Sequence, residues 1–167
     1  YDDIEAHGGR GVLWKTGHSL IKTKMKEEQA LLAGEMSGHI FFADRYYGFD
    51  DAIYATLRIL EIVSRSKVPL HEMLSDVPET FATPEIRVDC EDSSKFDLVQ
   101  RVVEHYRPTR ELNDIDGARI QFEGGWALVR ASNTQPVLVL RFEAESAGRL
   151  EAIRAEVESV LERFRDD

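Results

Sequence analysis

The chain has 167 residues, of which 43% are hydrophobic, so it is long enough for one domain or two small ones with real cores. Its 31 acidic and 21 basic residues give a formal net charge of −10, which disfavours general binding to nucleic acid or to anionic membranes. The single cysteine, Cys90, excludes an intramolecular disulfide and suits a reducing cytoplasm. No apolar run reaches the roughly 18 residues that a membrane span needs.

The first part of the chain predicts short strands and helices separated by glycine-containing turns. Gly8-Gly9-Arg10-Gly11 indicates a turn, and the apolar residues 12–14 after it indicate a strand. We predict a short amphipathic helix over residues 18–29, because apolar residues recur there at helical spacing. A buried strand is predicted over residues 30–33 and a second strand over residues 40–42.

A longer helix is predicted after Asp50 and Asp51, either of which is suited to cap its first turn. Ile53, Leu57 and Leu60 share one face of this helix and form an apolar stripe. A shorter helical stretch follows over residues 70–74. Residues 77–84 hold two prolines and show no periodicity, which predicts a linker between a first domain at 1–76 and a second at 85–167.

The second domain restarts a clear pattern of strands and helices. Its order is β-α-β-β-β-α, which favours an α+β module with a small antiparallel sheet and both helices on one face. The predicted strands lie at residues 85–90, 118–122, 126–130 and 137–142, and the predicted helices lie at residues 93–106 and 147–165.

Residues 130–136 are the first segment whose side chains are suited to binding a ligand. The sequence Arg-Ala-Ser-Asn-Thr-Gln-Pro lies between two apolar strands and carries a guanidinium, two hydroxyls and an amide, with no negative charge. Arg130 offers a bidentate charge-assisted pair, and successive backbone N–H groups of a tight turn form an anion-binding nest. The residues alone leave two interpretations open, a phosphate site or an ordinary polar turn.

A second segment, Gly-Glu-Met-Ser-Gly-His at residues 34–39, is suited to binding a sugar. Its terminal glycines permit a sharp bend, and Glu35, Ser37 and His39 alternate toward one side of an extended stretch. A carboxylate accepts hydrogen bonds from two adjacent sugar hydroxyls. The alternative is a solvated loop. The five histidines are scattered in sequence and lack metal-ligand spacing, so we predict no metal site.

Together these two segments resemble the α-D-phosphohexomutase superfamily, and specifically its bacterial phosphomannomutase/phosphoglucomutase branch. The resemblance extends over essentially the whole chain. The stretches that carry it are Trp14-Lys15-Thr16-Gly17-His18, Gly34-Glu35-Met36-Ser37-Gly38-His39, Gly48-Phe49-Asp50-Asp51 and Arg130-Ala131-Ser132-Asn133-Thr134-Gln135-Pro136.

The resemblance implies a position within a four-domain enzyme. Residues 1–76 are similar to most of the third domain, a mixed-sheet α/β domain, and residues 85–167 to the fourth domain, which is α+β with a TATA-binding-protein-like topology. The chain is therefore expected to be a C-terminal fragment. The family's phosphoserine loop and its Asp-Gly-Asp-Gly-Asp loop for Mg²⁺ are absent from this sequence, so we expect no catalytic residue here and no turnover by the fragment alone.

The family's reaction implies roles for the residues that match its motifs. The complete enzyme interconverts hexose 1-phosphate and hexose 6-phosphate of glucose or mannose through an enzyme phosphoserine and a hexose 1,6-bisphosphate intermediate. The resemblance assigns one group of residues to contacts with the sugar and another to contacts with the phosphate. It also suggests His39 as an auxiliary acid or base. The two groups are Glu35, Ser37, His39, Lys15 and His18 for the sugar, and Arg130, Ser132, Asn133 and Thr134 for the phosphate.

The expected partners are hexose phosphates, with neither nucleic acid nor membrane, and the complete enzyme is expected to be a cytoplasmic monomer. Two other classes of function stay open. A non-catalytic phosphosugar-binding module would have the same two loops, and the sequence upstream discriminates it from a mutase. A nucleic-acid module is suggested by the TATA-binding-like topology, but the net charge of −10 argues against it.

Overall fold

A computed structural model describes residues 1–166 and divides the chain into two compact units. Unit 1 is Tyr1–Val77, and unit 2 begins at Pro78. Each unit has a sheet of its own. Within the described residues, no helix combines the length and apolar character needed to cross a membrane.

Unit 1 is built on a short antiparallel sheet with the strand order β1-β2-β3. Helices precede and follow this sheet along the chain, and a 3₁₀ turn at Leu70–Glu72 lies where a short helix was predicted. The three strands pair antiparallel, so this sheet contains no parallel pair among the described residues. The elements are α1 (Asp2–Ala6), α2 (His18–Glu28), β1 (Leu32–Gly34), β2 (Ile40–Phe42), β3 (Phe49–Asp50) and α3 (Ala52–Arg65).

The structure confirms both long helices of unit 1 and corrects two of its predicted strands. Residues 12–14 are irregular and pair with no described strand, so their apolar run alone was insufficient evidence for a strand. The strand predicted at residues 30–33 begins at Leu32 and is not buried, since Leu31 is 64% exposed and Leu32 is 56% exposed. Among the described residues β1 pairs with β2 alone, at one edge of the sheet, and both leucines lie uncovered.

The core of unit 1 is small. Its buried cluster is formed by Ile21 and Met25 of α2 with Phe41 of β2. Helix α3 has the predicted apolar stripe, yet Ile53 is 78% exposed and Leu57 is 57% exposed. The amphipathic pattern therefore predicted the helix correctly, but the described chain does not bury its apolar face.

Unit 2 contains one six-stranded antiparallel sheet and two long helices. The strand order is β4-β9-β8-β7-β6, and β5 also pairs with β9. Every pairing in this sheet is antiparallel, as predicted. The elements are β4 (Phe81–Ala82), β5 (Ile86–Asp89), α4 (Lys95–Tyr106), β6 (Leu112–Asn113), β7 (Ala118–Phe122), β8 (Gly125–Ala131), β9 (Val137–Ala144) and α5 (Ala147–Asp166).

Alternate residues of the central strands of unit 2 form one continuous core with both helices. Ile120, Val129 and Leu140 are fully buried in neighbouring strands, and Val102 of α4 and Val157 of α5 pack in the same cluster. This period of two places the intervening residues on the opposite, helix-free face. The α+β class with an antiparallel sheet is thus confirmed, and the helix-free face of β8 carries Arg130.

The segment predicted as a linker, residues 77–84, contains a strand. Phe81 and Ala82 form β4, which pairs with Ala144 and Glu143 of β9. The sequence analysis also omitted β3 and β6. All three strands are only two residues long, which is too short for alternation to produce a signal.

Candidate functional site

The predicted sugar-binding segment is the turn that joins β1 to β2 in unit 1. The Glu35 N–H donates to the His39 carbonyl at 2.9 Å, and the Gly38 N–H donates to the Glu35 carbonyl at 3.0 Å. Gly38 has a φ of 91°, in the left-handed region that favours glycine. These bonds close a tight turn and fix the backbone positions of Glu35 and His39.

The Glu35 carboxylate is held in place by two donors. Its Oε1 accepts from the Gly17 N–H at 2.8 Å, and its Oε2 accepts from the Ser37 hydroxyl at 3.2 Å. Gly17 is the N-cap of α2, so the carboxylate lies at the positive end of that helix. Glu35 and Ser37 therefore contact each other with the carboxylate held in one orientation, but they do so in a tight turn and not along the predicted extended stretch.

Two histidines lie beside this turn. The rings of His18, the first residue of α2, and His39, just before β2, have centroids 4.4 Å apart. The Asp50 carboxylate in β3 lies between them, with its Oδ2 at 2.7 Å from His39 Nδ1 and 3.7 Å from His18 Nε2. These two histidines are far apart in the sequence, and the fold brings them together because the sheet places β2 and β3 at the start of α2.

Among the neighbouring candidates, Lys15 is not joined to this cluster. It lies exposed in the irregular segment before α2 and has no hydrogen bond or ion pair with any described residue. Of the two proposed helix caps, Asp51 is the one used, since its carboxylate accepts from the Tyr54 N–H at 2.9 Å. That leaves Asp50 to interact with the histidines, a role that the sequence analysis missed.

The predicted phosphate-binding segment is the tip of the β8–β9 hairpin in unit 2. The Ser132 N–H donates to the Val137 carbonyl at 3.0 Å. The Ser132 hydroxyl is nearly buried and accepts from the N–H groups of Thr134 at 3.3 Å and Gln135 at 3.2 Å. The expectation that successive N–H groups point outward is therefore wrong for these two, and Ser132 organises the tip from inside.

Two donors of the tip keep their capacity to bind an anion. The Arg130 guanidinium and the Asn133 N–H have no hydrogen-bond partner among the described residues. Arg130 pairs with Val139 across the sheet and has Gly117 against its backbone. A Cβ at Gly117 would lie 2.5 Å from the Arg130 Cβ and 2.5 Å from the Val129 carbonyl oxygen, so only glycine leaves Arg130 its position.

Lys95 and Arg87 support this hairpin tip and were missed by the sequence analysis. The Lys95 side chain is only 6% exposed, and its ammonium donates to the Gln135 carbonyl at 3.0 Å and to Asp92 Oδ1 at 2.6 Å. Arg87 Nη1 donates to Gln135 Oε1 at 2.9 Å. A lysine at the buried first position of α4 was the available signal, because lysine is rarely buried without partners.

Comparisons with known proteins place both units in one family. Residues 1–81 match the family model described as phosphoglucomutase/phosphomannomutase, alpha/beta/alpha domain III. Residues 85–160 match the model described as phosphoglucomutase/phosphomannomutase, C-terminal domain. The chain belongs to the phosphoglucomutase/phosphomannomutase family. This confirms the resemblance that the two loops indicated.

Individual relatives of the chain agree with that assignment. It is 52% identical to a phosphomannomutase/phosphoglucomutase of Pseudomonas putida over 90% of its own length and 33% of that protein. It is 44% identical to a phosphoglucomutase of Neisseria gonorrhoeae over 95% of its length and 35% of that protein. A phosphoglucomutase/phosphomannomutase family structure from Burkholderia thailandensis superposes with a TM-score of 0.85 at 40% identity, over 97% of this chain and 34% of that one. The chain thus spans about a third of the length of these relatives.

Proposed function

We propose that this chain is the substrate-binding part of a phosphohexomutase that interconverts the 1-phosphates and 6-phosphates of glucose or mannose. The observation that carries the proposal is the Arg130 guanidinium, which has no hydrogen-bond or ion-pair partner among residues 1–166 and lies at the end of β8, beside a hairpin tip without acidic residues. The names of the relatives support the reaction class, since they are phosphomannomutases and phosphoglucomutases.

In this proposal the unit 2 hairpin binds the phosphate that is not being transferred. Arg130 donates two charge-assisted hydrogen bonds, and the Asn133 N–H and Thr134 hydroxyl add donors at the same tip. Ser132 contributes mainly by holding the turn, because its hydroxyl already accepts two backbone N–H groups. Lys95 holds the turn from below through the Gln135 carbonyl.

The unit 1 turn binds the sugar in this proposal. The Glu35 carboxylate has lone pairs beyond those used by Gly17 and Ser37, so it can accept from two neighbouring hydroxyls of the sugar. The 3- and 4-hydroxyls approximately exchange places when the sugar phosphate turns over, so one carboxylate serves both orientations. Binding through these hydroxyls rather than the 2-position accounts for acceptance of both glucose and mannose. His18 and His39 supply further hydrogen bonds to the same substrate, and Lys15 supplies positive charge.

The family also implies Mg²⁺, and the residues of this chain do not fit it. Magnesium prefers an octahedral set of oxygens, whereas the cluster of His18, Glu35 and His39 offers two nitrogens and one carboxylate. The Asp-rich loop of the family is absent from the sequence. No step proposed for this chain uses the ion. Its residues bind and orient the substrate, and phosphoryl transfer belongs to the remainder of a complete mutase.

Replacing Arg130 with alanine tests the phosphate contact. Hydrogen bonds to a charged group contribute about 1.5–3 kcal/mol each, so R130A is expected to raise the KM for glucose 1-phosphate by roughly one to two powers of ten in the complete polypeptide that carries these units. The measurement is steady-state kinetics. Arg107→Ala is the matched control, because Arg107 lies at the end of α4 and pairs with Asp114 instead.

An unchanged KM in R130A, or an equal rise in R107A, contradicts the assignment. The same substrate titrated into residues 1–167 is expected to shift the backbone amides of Asn133 and Glu35 without turnover. Undisturbed amide signals at both positions would contradict the proposal that these residues bind the substrate. Turnover by this chain alone would contradict the proposal that phosphoryl transfer needs the rest of a complete mutase.

A further inference from the structure

The strongest unassigned feature is a set of metal-ligating side chains at the start of α2. His18, Glu35 and His39 each offer one ligand atom, and these atoms lie within 4.8 Å of one another. They come from three separate elements, namely the first residue of α2, the β1–β2 turn and the residue before β2. We propose that this cluster binds a divalent transition-metal ion of the zinc type, in addition to its proposed role with sugars.

The donor set matches the chemistry of such an ion. Two imidazole nitrogens and one carboxylate oxygen are ligands that zinc and its neighbours Co²⁺ and Ni²⁺ accept readily. Bonds of about 2.0–2.2 Å place ligand atoms roughly 3.4 Å apart around a tetrahedral ion, so the cluster closes by about 1 Å on binding. Such a shift is accessible because the His18 and His39 side chains are 41% and 43% exposed.

Neighbouring polar groups orient these ligands. The Asp50 carboxylate, 2.7 Å from His39 Nδ1, is placed to accept a hydrogen bond from the Nδ1–H, which leaves the Nε2 lone pair for a metal. Metal-ligating histidines are commonly held by a carboxylate in this way. Gly17 and Ser37 fix the Glu35 carboxylate from the other side. With neutral imidazoles the four side chains carry two negative charges, which a divalent cation neutralises.

The site differs from the magnesium centre that the family implies. Magnesium keeps its waters and prefers oxygen ligands, so it has little affinity for two imidazoles. A zinc-type ion exchanges water for nitrogen more readily, which makes the cluster selective for it. Three protein ligands also leave a fourth position open to water or to a hydroxyl of a ligand.

One consequence rests on the proposed function. Glu35 and the two histidines are the groups that would contact the sugar, so an ion on these atoms competes with a sugar phosphate. The bound ion would then be an inhibitor of substrate capture that acts at the unit 1 turn and not at the phosphate-binding hairpin of unit 2.

Cobalt(II) titration of residues 1–167 tests the site. Four-coordinate cobalt bound by nitrogen and oxygen has visible absorption bands far stronger than those of the hydrated ion, so we expect a saturable spectrum at one equivalent. H39Q and E35Q are expected to abolish it, and D50N to weaken the affinity by about 10–100-fold, as loss of an orienting carboxylate does. H71Q is the matched control, because His71 is an exposed histidine outside the cluster.

Trp14 emission in a Trp126→Phe background and the amide spectrum of each variant report whether unit 1 keeps its fold, so loss of binding is separable from unfolding. A saturable spectrum that survives in folded H39Q and E35Q, or no saturable spectrum in the parent chain, overturns the metal site. Cobalt binding that Mg²⁺ displaces at equal concentration also overturns it. Cobalt binding with the expected variants, but without competition from glucose 1-phosphate, supports the metal site and counts against the sugar site instead.

Discussion

The two units differ most in how they hold their binding groups. Unit 1 has a small apolar cluster of Ile21, Met25 and Phe41, and it positions Glu35 and His39 by polar contacts among turns and strand ends. Unit 2 mounts its hairpin on the central strands of a sheet whose whole inner face packs on two helices. Buried packing is the stronger restraint, because a close-packed core resists displacement of any one strand.

This difference has a consequence for the two proposed binding segments. The hairpin tip of unit 2 joins β8 to β9, so the pairing of these buried strands restrains it. Lys95 of α4 also donates a hydrogen bond to the Gln135 carbonyl in the tip. The turn of unit 1 depends on a few exposed or half-exposed hydrogen bonds, each worth about 0.5–1.5 kcal/mol. We therefore expect the hairpin of unit 2, proposed to bind phosphate, to be preorganised and the turn of unit 1, proposed to bind sugar, to be the more easily deformed.

The largest expected contrast comes from one leucine in each unit. Leu140 is 0% exposed in the core of unit 2, so Leu140→Ala should lower the free energy of unfolding of that unit by about 2–5 kcal/mol. Leu57→Ala, on the exposed face of α3, should change the stability of unit 1 by no more than about 0.5 kcal/mol. Urea unfolding measures both values.

Each unit has one tryptophan, so emission separates the two transitions. Trp126 in a Trp14→Phe background reports unit 2, and Trp14 in a Trp126→Phe background reports unit 1. Leu57→Ala with a loss as large as that of Leu140→Ala would mean that α3 is buried in solution. A shift of both transitions by Leu140→Ala would mean that the units do not unfold separately.

Two tyrosines give a smaller contrast with opposite signs. The Tyr106 hydroxyl in unit 2 is buried and has no hydrogen-bond partner among the described residues, and burial raises its pKa. Tyr106→Phe removes an unsatisfied group, so the free energy of unfolding should stay the same or rise by up to about 1 kcal/mol. The Tyr54 hydroxyl in unit 1 donates to the Asp44 carbonyl at 3.2 Å, so Tyr54→Phe should cost about 1 kcal/mol.

The same urea titrations with the two tryptophan reporters measure these variants. Destabilisation by Tyr106→Phe comparable to that of Tyr54→Phe would show that a water or a rearranged carboxylate satisfies the Tyr106 hydroxyl. The core of unit 2 would then hold a polar group or a water beside Tyr106 that its buried apolar cluster does not indicate.

Sequence reasoning worked best where a pattern is long enough to repeat. The periodic residues of α3, α4 and α5, and the apolar segments that became β7, β8 and β9, predicted those elements within a few residues. It failed for β3, β4 and β6, which are two residues long, and for residues 12–14, where an apolar run has no partner strand. A segment becomes a strand by forming hydrogen bonds with a partner strand, and the local sequence does not show whether such a partner lies beside it.

The candidate site shows the same limit. Motif residues such as Glu35 and Arg130 were predicted because their chemistry is visible in the sequence. Asp50 and Lys95 were missed because their importance arises from contacts across 11 and 40 positions of sequence. The pairing of His18 with His39 likewise exists only after β2 folds back beside α2.

The smallest expected effect concerns the acid sensitivity of unit 1. The Tyr46 hydroxyl, followed by the Tyr54 N–H, holds the pKa of Asp51 below its ordinary value near 3.8. A depressed pKa means that the ionised carboxylate stabilises the folded state. That stabilisation is complete above the unfolded pKa and is lost as pH falls through the folded pKa. Asp51→Asn removes this titration while asparagine still caps α3.

We therefore expect D51N to lower the urea midpoint of unit 1 modestly at pH 7, where the ionised carboxylate contributes, and to make the midpoint fall less steeply between pH 4 and pH 2. Trp14 emission measures this midpoint, and the Trp126 transition of unit 2 in the same variant is the control. Some acid sensitivity must persist, because Arg10 and Lys24 also lower the pKa of Glu28, to about 2. An unchanged pH profile in D51N would show that Tyr46 and the helix start hold Asp51 too weakly to contribute. The contact between Tyr46 and Asp51 would then not belong to the polar contacts that stabilise unit 1 beside its small core.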